Sequence, residues 1–341
     1  MTPNQVYSEL EVLLAAGLPP FLHGATGIGK STVVADYAQA HDLELRDVRA
    51  SQLDPVDARG IPVPIPATKT TSWYPPDFLP RKGQGILFLD ELNRANQDTQ
   101  SALYQLILER RIGDYILPES WSIIAAGNRE TDGCMVQPMS RALKNRFVHL
   151  EMESSYEDWH KWAHRNKLNE KVISYMRQFP AHLNEENTAT RKEKGNRQDI
   201  LANVNAFATP RSWSFASRYL DHSTRSMQDC FYGLAGTIGA PMAGQFISYC
   251  SIYMELPDLN EIIANPAKFP SLEDPNKLYA VCTGLAARAS MKTFGNICKI
   301  LHKIPPEYAL WTVDDCLHRN KQIAEHPAYT EFVFKNIEYV S

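Results

Sequence analysis

The chain of 341 residues is short of several things that would have decided its class at once. It has no apolar run approaching 18 residues, so no segment reads as a membrane-spanning helix. Met1-Thr2-Pro3-Asn4 also lacks the basic-then-apolar order of a secretory signal. Acidic and basic residues nearly balance, with a formal net charge of −4, which excludes a global basic field that would draw the protein to nucleic acid or an anionic membrane. The six cysteines (Cys134, Cys230, Cys250, Cys282, Cys298 and Cys316) include no CxxC pair and no metal-ligand spacing. That pattern argues against a disulfide framework or a structural metal and suits buried thiols in a reducing compartment. Repeats and low-complexity tracts are absent. His23, His149 and His160 have no ligand-like spacing and read as packing or surface residues, and no Ser-His-Asp or Cys-His nucleophile arrangement follows from spacing. What remains is a cytoplasmic, multidomain chain, long enough for two or three domains with a sizeable core.

Against these absences stands one unbroken motif. Gly24-Ala25-Thr26-Gly27-Ile28-Gly29-Lys30-Ser31 matches GxxxxGK[ST], the phosphate-binding loop. Glycines allow the tight turn that aims successive N–H groups at phosphates, and the following helix adds the positive end of its dipole. Lys30 would reach the β/γ-phosphates of ATP, and Ser31 would offer its hydroxyl to Mg²⁺. Residues Gly24 to Ser31, with Thr32 following, are read as the ATP-binding loop. The context is right, because Pro20-Phe21-Leu22-His23 reads as a buried strand leading in and Ser31 to Ala40 as a helix leading out. The competing view is a glycine-rich turn that merely contains Lys-Ser.

The second half of such a site lies at Gly85 to Glu91. Ile86-Leu87-Phe88-Leu89 has the uninterrupted apolar character of a parallel strand buried on both faces. Asp90 and Glu91 follow at its carboxyl end, where ligands of open α/β sheets bind and where paired acids call for a cation. Asp90 is assigned to Mg²⁺, directly or through water, and Glu91 to orienting and deprotonating the attacking water. The alternative makes both acids the cap of the next helix.

Up to about residue 152 the chain alternates strand-like and helix-like segments, the pattern of a parallel sheet flanked by helices. Val6, Leu10, Leu13 and Leu14 mark an opening amphipathic helix, Leu43 to Val48 a strand, Asn96 to Arg111 a helix, and Ile112-Gly113-Asp114-Tyr115 a hairpin. Ser122 to Asn128 is a further buried strand whose polar end, Asn128, shares the sheet edge that carries Asp90. After about residue 152 the strand pattern stops, and Tyr156 to Asn166 and Val172 to Phe179 read as helices. The division is 1–152 for the α/β nucleotide-binding domain, 153–225 for a helical lid and 226–341 for a further helical region. In that last region Gly233 to Tyr253 and Leu278 to Ala289 are apolar on broad faces, while Pro257, Pro266 and Pro305-Pro306 break the helices.

This order of parts resembles the AAA+ ATPases, and within them the MoxR branch. The run Asp90-Glu91-Leu92-Asn93-Arg94-Ala95 resembles the family's extended acidic motif. Asn128, in Ala126-Gly127-Asn128-Arg129, resembles the first sensor, which holds the attacking water or the γ-phosphate. Arg146, in Ala142-Leu143-Lys144-Asn145-Arg146-Phe147, resembles the arginine finger that reaches a neighbouring subunit's nucleotide, with Arg141 as a rival. Arg211, in Thr209-Pro210-Arg211, resembles the second sensor on the lid. Read without the family, Thr209 is a good N-cap and Pro210 a first helical residue, so Arg211 falls in a first turn where the dipole disfavours a cation; a γ-phosphate or a carboxylate would each serve it. The resemblance covers roughly residues 5 to 220. It implies a ring oligomer, read as a hexamer, that spends ATP on remodelling a protein client, in this branch often a protein with a von Willebrand factor A domain. A nucleic-acid motor or loader and a slow nucleotide-dependent switch stand as alternatives.

Three segments stay open. The proline-rich stretch from Leu53 to Pro80 cannot be regular helix or central strand. In the relatives the corresponding region carries an element facing a central pore, where Thr71, Ser72, Trp73 and Tyr74 would grip a client, unless Trp73 and Tyr74 pack against the core beside Pro75-Pro76. The hairpin around Gly113 resembles the insertion before the first sensor. Arg191-Lys192-Glu193-Lys194-Gly195-Asn196-Arg197 is the one basic cluster and reads either as a solvated loop or as a nucleic-acid contact. The helical C-terminal region is assigned either to packing on the lid or to docking a partner.

Overall fold

The apolar run Gly85–Asp90 sets the architecture around it, because its side chains alternate between two cores. Leu87 and Leu89 face one hydrophobic cluster with Val48, Leu103, Leu106, Trp121 and Ile123. Ile86 and Phe88 face another with Val6, Leu10, Leu22, Val34 and Ile124. A strand buried on both faces needs helices on both, and that is what the sequence supplies. The protein, seen in a computed structural model, is described over residues 1–129, 137–185 and 206–336. It divides into two compact units, Met1–Ser155 and Tyr156–Ser341.

In the first unit, β1 (Pro20–His23), β2 (Glu44–Arg49), β5 (Gly85–Asp90), β8 (Trp121–Gly127) and β9 (Val148–Glu151) form one sheet in the order β2-β5-β8-β1-β9. All neighbours are parallel. Helix α1 (Pro3–Ala15) opens with Thr2 as its N-cap and buries Val6, Leu10 and Leu13. Helix α2 (Lys30–Ala40) follows the glycine loop, and α4 (Gln97–Glu109) is capped by Asn96 and buries Ala102, Leu103, Leu106 and Ile107. The parallel α/β core, with helices following it in the chain, is the AAA+ P-loop fold.

The proline-rich stretch is more regular than its composition suggests. Asp54 caps a five-residue helix α3 (Pro55–Arg59) that takes Pro55 at its first turn, where no N–H is missed. An antiparallel pair follows, β3 (Ile61–Ile65) with β4 (Thr70–Tyr74). Pro62 and Pro64 are tolerated because β3 is an edge strand and the two prolines fall two residues apart, on the same outer edge. The second hairpin, β6 (Arg111–Ile112) with β7 (Tyr115–Ile116), turns through Gly113 at φ +54°.

The second unit is helical, beginning with α6 (Tyr156–Arg165) and α7 (Glu170–Gln178); the short α5 (Arg141–Lys144) precedes β9 in the first. One core gathers Trp159, Val172, Tyr175, Trp213 and Phe246, and a second gathers Leu259, Leu278, Phe294 and Phe332. The change from one to the other falls between Tyr253 and Leu256. Five cysteines, Cys230, Cys250, Cys282, Cys298 and Cys316, are free and buried. Burial pushes the Cys250, Cys282 and Cys298 thiols up to about 12, which keeps them protonated and unreactive. Cys134 lies outside the described residues, as does the basic cluster Arg191 to Arg197. Among the described residues no helix is long and apolar enough to cross a membrane.

Candidate nucleotide-binding and hydrolysis site

Three strands end side by side and carry the site. Gly24 to Ser31 leave the carboxyl end of β1, Asp90 ends β5, and Asn128 follows the last residue of β8. Gly27 and Gly29 adopt φ +78° and +104°, conformations a side chain would resist. A Cβ on Gly24 would come within 2.7 Å of the Met152 carbonyl oxygen. Helix α2 starts at Lys30 with no side chain capping its N-terminus, so its first N–H groups are not taken by a cap.

Lys30 is buried, and its Nζ donates to the carbonyls of Gly24 (2.6 Å) and Ala25 (2.9 Å) and to Asn128 Oδ1 (3.0 Å). Ser31 Oγ donates to Asp90 Oδ2 at 3.1 Å. Asp90 Oδ1 accepts the Glu91 N–H at 2.9 Å. Glu91 itself sits at φ +54°, a left-handed conformation unusual for a non-glycine residue and held here at the strand end. Its two carboxylate oxygens are engaged separately: Oε2 accepts from Ser51 Oγ (2.6 Å) and Oε1 from Arg94 Nη1 (3.2 Å).

Burial, and next the Asp90 charge, raise the Asp47 carboxyl above its ordinary value, while Arg49 works the other way. Asp47 and Asp90 thus repel one another at the edge of the sheet, a field that favours a cation. The donors beside it are a hydroxyl and a carboxylate, the all-oxygen chemistry of a hard divalent ion. Together with the uncapped helix start and the buried ammonium, the residues present fit a nucleoside triphosphate with Mg²⁺.

Two neighbours support the site: Asn93, which belongs to the extended acidic motif without an assigned role of its own, and Ser51, which belongs to no motif. Asn93, buried, donates from Nδ2 to the Asn128 carbonyl (2.7 Å) and so ties the acidic motif to the end of β8. A side chain at Gly127 would collide with the Asn93 amide. Ser51 lies just past β2, whose Arg49 pairs in register with Asp90; its place at a strand's carboxyl end was the available signal.

The remaining sequence-predicted residues lie elsewhere. Arg146 is exposed in the turn between α5 and β9, and Arg141 is exposed at the start of α5. Arg211 is exposed in the first turn of the helix Pro210–His222 of the second unit, behind a Thr209–Ser212 capping box. Thr26 and Thr32 are exposed on the loop and on α2. Register separates Trp73 from Tyr74: Tyr74 pairs with Ile61 on one face of the β3–β4 hairpin, and both are well exposed, at 62% and 65%. Trp73 points to the other face and lies beside Gly113, and its main-chain N–H donates to Asp114 Oδ2 at a long 3.5 Å.

The second unit has a separate charged centre. His160 and His164 of α6 and Asp315 of the helix Pro306–Arg319 present ligand-type atoms within 4.8 Å of one another. Arg177 grips Asp315 with two N–H groups (2.7 and 3.1 Å), and Arg319 Nε donates to His164 Nδ1 (3.1 Å). An accepting Nδ1 puts the His164 proton on Nε2, the atom a metal would need, and two guanidiniums already offset the one carboxylate. The arrangement is an ion network, not a metal centre. Burial drives the His164 imidazole down to about 4, only partly opposed by Asp315. Burial would raise the Asp315 carboxyl, but the neighbouring histidines and Arg177 hold it far below the ordinary range.

A family model agrees with the fold of the first unit. Residues 19–147 match the family model of the AAA domain, dynein-related subfamily, a nucleotide-binding and nucleotide-hydrolysing module. No curated protein matches the chain. Among solved structures, the RuvB Holliday junction branch migration motor of Thermotoga maritima is 16% identical, with 91% of this chain and 86% of that chain covered at a TM-score of 0.36. A candidate ATPase from Cytophaga hutchinsonii is 15% identical, with 98% and 88% covered at a TM-score of 0.37. Likeness at that level says nothing of substrate or partner.

Proposed function

We propose that the chain is a MoxR-like AAA+ ATPase of the cytoplasm that works as a hexameric ring and turns ATP hydrolysis into remodelling of a protein client, including clients that bear a von Willebrand factor A domain. The observation that carries the proposal is the convergence of Lys30, Ser31, Asp90, Glu91 and Asn128 at the ends of β1, β5 and β8. Residues 1–152 supply the catalytic core, 153–225 the lid and 226–341 a docking or packing module.

Lys30 exchanges its carbonyl partners for phosphate oxygens, and the loop N–H groups orient the triphosphate. Ser31 and Asp90 are the residues that would hold Mg²⁺, and the ion would supply charge neutralisation for the triphosphate. Glu91 leaves Ser51 to accept the proton of the attacking water, while Asn128 fixes that water's position. Arg146 reaches the neighbouring subunit's γ-phosphate, and Arg211 closes from the lid. The exposed Tyr74 and Ile61 face of the hairpin grips the client.

Mixing tests the ring. Lys30→Ala leaves a dead pocket with an intact finger, and Arg146→Ala the reverse, so mixed rings contain some complete interfaces. Each variant alone is expected to be nearly inactive, since a finger is worth about 10³–10⁵ in rate, and activity returns on mixing. If labelled subunits exchange and the mixture stays inactive, Arg146 does not act in trans. Stimulation of the wild-type ATPase by DNA and not by any protein would favour a nucleic-acid motor; slow turnover stimulated by neither would favour a switch.

A further inference from the structure

We propose that the open edge of β4 takes an extended, proline-free segment of a client polypeptide as an added β-strand, so that the hairpin binds its client through main-chain hydrogen bonds. This rests on the reading of the hairpin as the element that grips the client, and it gives that grip its chemistry. β3 and β4 pair only with each other, so each has one open edge. Along an antiparallel pair, residues that exchange N–H···O bonds across the ladder alternate with residues whose N–H and C=O turn outward. Proline has no N–H to exchange. Pro62 and Pro64 therefore turn outward, and so do their partners in register, Trp73 and Thr71. Val63 and Ser72, between them, close the ladder. The Trp73 main chain agrees, because its N–H goes to the Asp114 carboxylate and not to β3.

The two edges are unlike. That of β3 carries Pro62 and Pro64, which remove two donors and obstruct an incoming strand, one of the ways in which proteins close a sheet edge to other chains. That of β4 has no such guard. Thr70-Thr71-Ser72-Trp73-Tyr74 contains no proline, no glycine and no charge, and is rich in the threonine and aromatic residues that strands favour. Among the described residues nothing pairs with the outward N–H or C=O of Thr71. The Trp73 N–H has only the 3.5 Å contact with Asp114, whose side chain is exposed and can turn aside for a closer peptide carbonyl.

Thr71 and Trp73 stand two residues apart, the spacing at which another strand presents its own outward N–H and C=O groups. An extended polypeptide is the partner that offers donor and acceptor together at that interval, so an antiparallel segment can exchange bonds at both positions. Its side chains would then alternate between the face of Thr71 and Trp73 and the face of Thr70, Ser72 and Tyr74. On the second face the exposed Tyr74 and Ile61 leave apolar area to cover. Selection is therefore by pattern and not by a fixed sequence: no proline along the paired segment, and apolar residues at alternate positions on the Tyr74 side.

The test is fluorescence anisotropy of a labelled synthetic peptide, alternating valine and threonine over about six residues between terminal lysines, added to the full chain without nucleotide. The wild type is expected to bind it, and to bind a copy with prolines at its centre about tenfold more weakly or worse. Thr71→Pro removes the outward donor as Pro64 does opposite it and is expected to lose about as much, whereas Thr71→Ala keeps the N–H and binds like the wild type. No binding by the wild type, or equal affinity in Thr71→Pro, would overturn the proposal. Tyr74→Ala separates it from the reading on which it rests: a loss there with none in Thr71→Pro leaves the grip without edge pairing, and a loss in neither removes both. A change in the mass of the assembly on Thr71→Pro, measured by light scattering, would assign the edge to contacts between copies of this chain and overturn the proposal as well. If thermal unfolding shows that Thr71→Pro folds poorly, amide hydrogen exchange of the wild type decides. The peptide is expected to slow exchange at Thr71 and Trp73 and to leave Ser72, already paired with Val63, unchanged; no slowing at Thr71 would refute edge pairing.

Discussion

Two regions of the chain bury charge in opposite ways. At the nucleotide loop the Lys30 ammonium rests on two carbonyls and an amide oxygen, neutral dipoles that a phosphate can replace. At Asp315 the carboxylate is locked by a bidentate guanidinium and flanked by two buried imidazoles. A charge held by exchangeable dipoles belongs to a site. A charge held by full opposite charge, with no access to water, belongs to a strut: here it joins α6, α7 and the helix Pro306–Arg319.

The strut gives the largest expected effect on stability. Replacing Asp315 by Ala leaves Arg177 buried and uncompensated, a change worth about 3–5 kcal/mol, and lowers the denaturation midpoint of the second unit. Nucleotide binding by the first unit should survive, and a titration with a fluorescent ATP analogue in mild conditions checks it. Loss of nucleotide affinity with no loss of stability would erase the distinction between site and strut.

Acid is expected to weaken the strut next. His164 has its folded pKa near 4 against about 6.5 unfolded, so between those values the unfolded chain binds more protons. Stability tied to this group is therefore full above pH 6.5 and falls as pH drops toward 4; the depressed Asp315 extends the loss further into acid. Denaturation midpoints for the wild type and His164→Gln across that range measure it. Equal slopes in the two proteins would show that His164 does not carry the effect.

Smaller changes sharpen the other side of the comparison. Ser51→Ala frees one Glu91 oxygen and is expected to raise basal turnover a few-fold, about 1 kcal/mol, with ATP affinity unchanged. A fall in turnover would mean that Ser51 aids Glu91 instead of restraining it. Tyr74→Ala should leave basal ATPase and stability nearly intact while lowering client stimulation, whereas Trp73→Ala should cost stability through its contact with the Gly113 turn. Equal thermal midpoints for the two variants would remove the distinction that register draws between them.

Legibility in the sequence followed distance along the chain. The glycine loop, the β5 run ending in Asp90 and Glu91, and the strand before Asn128 each sit within a few residues, so local pattern located them and the parallel order around them. Leu53 to Pro80 was harder: proline excludes helix interiors and central strands, yet Pro55 begins a helix and Pro62 and Pro64 occupy an edge. Composition alone could not separate Trp73 from Tyr74, because only the pairing register assigns their faces. The pairs Ser51–Glu91, Asn93–Asn128 and His23–His149 join strands or turns that are far apart in sequence, the last by 126 positions, and spacing carries no trace of them. His160 and His164 share a helix face by their separation, but their partner Asp315 comes from the far end of the chain.

The most direct test of the central assignment compares Lys30→Ala with Glu91→Gln for equilibrium binding of a fluorescent ATP analogue and for phosphate release. Lys30→Ala removes the cation that meets the phosphates and is expected to lose binding. Glu91→Gln removes only the group that acts on water and is expected to bind like the wild type while releasing phosphate at a small fraction of its rate. Tight binding by Lys30→Ala, or near-normal phosphate release by Glu91→Gln, would contradict the account.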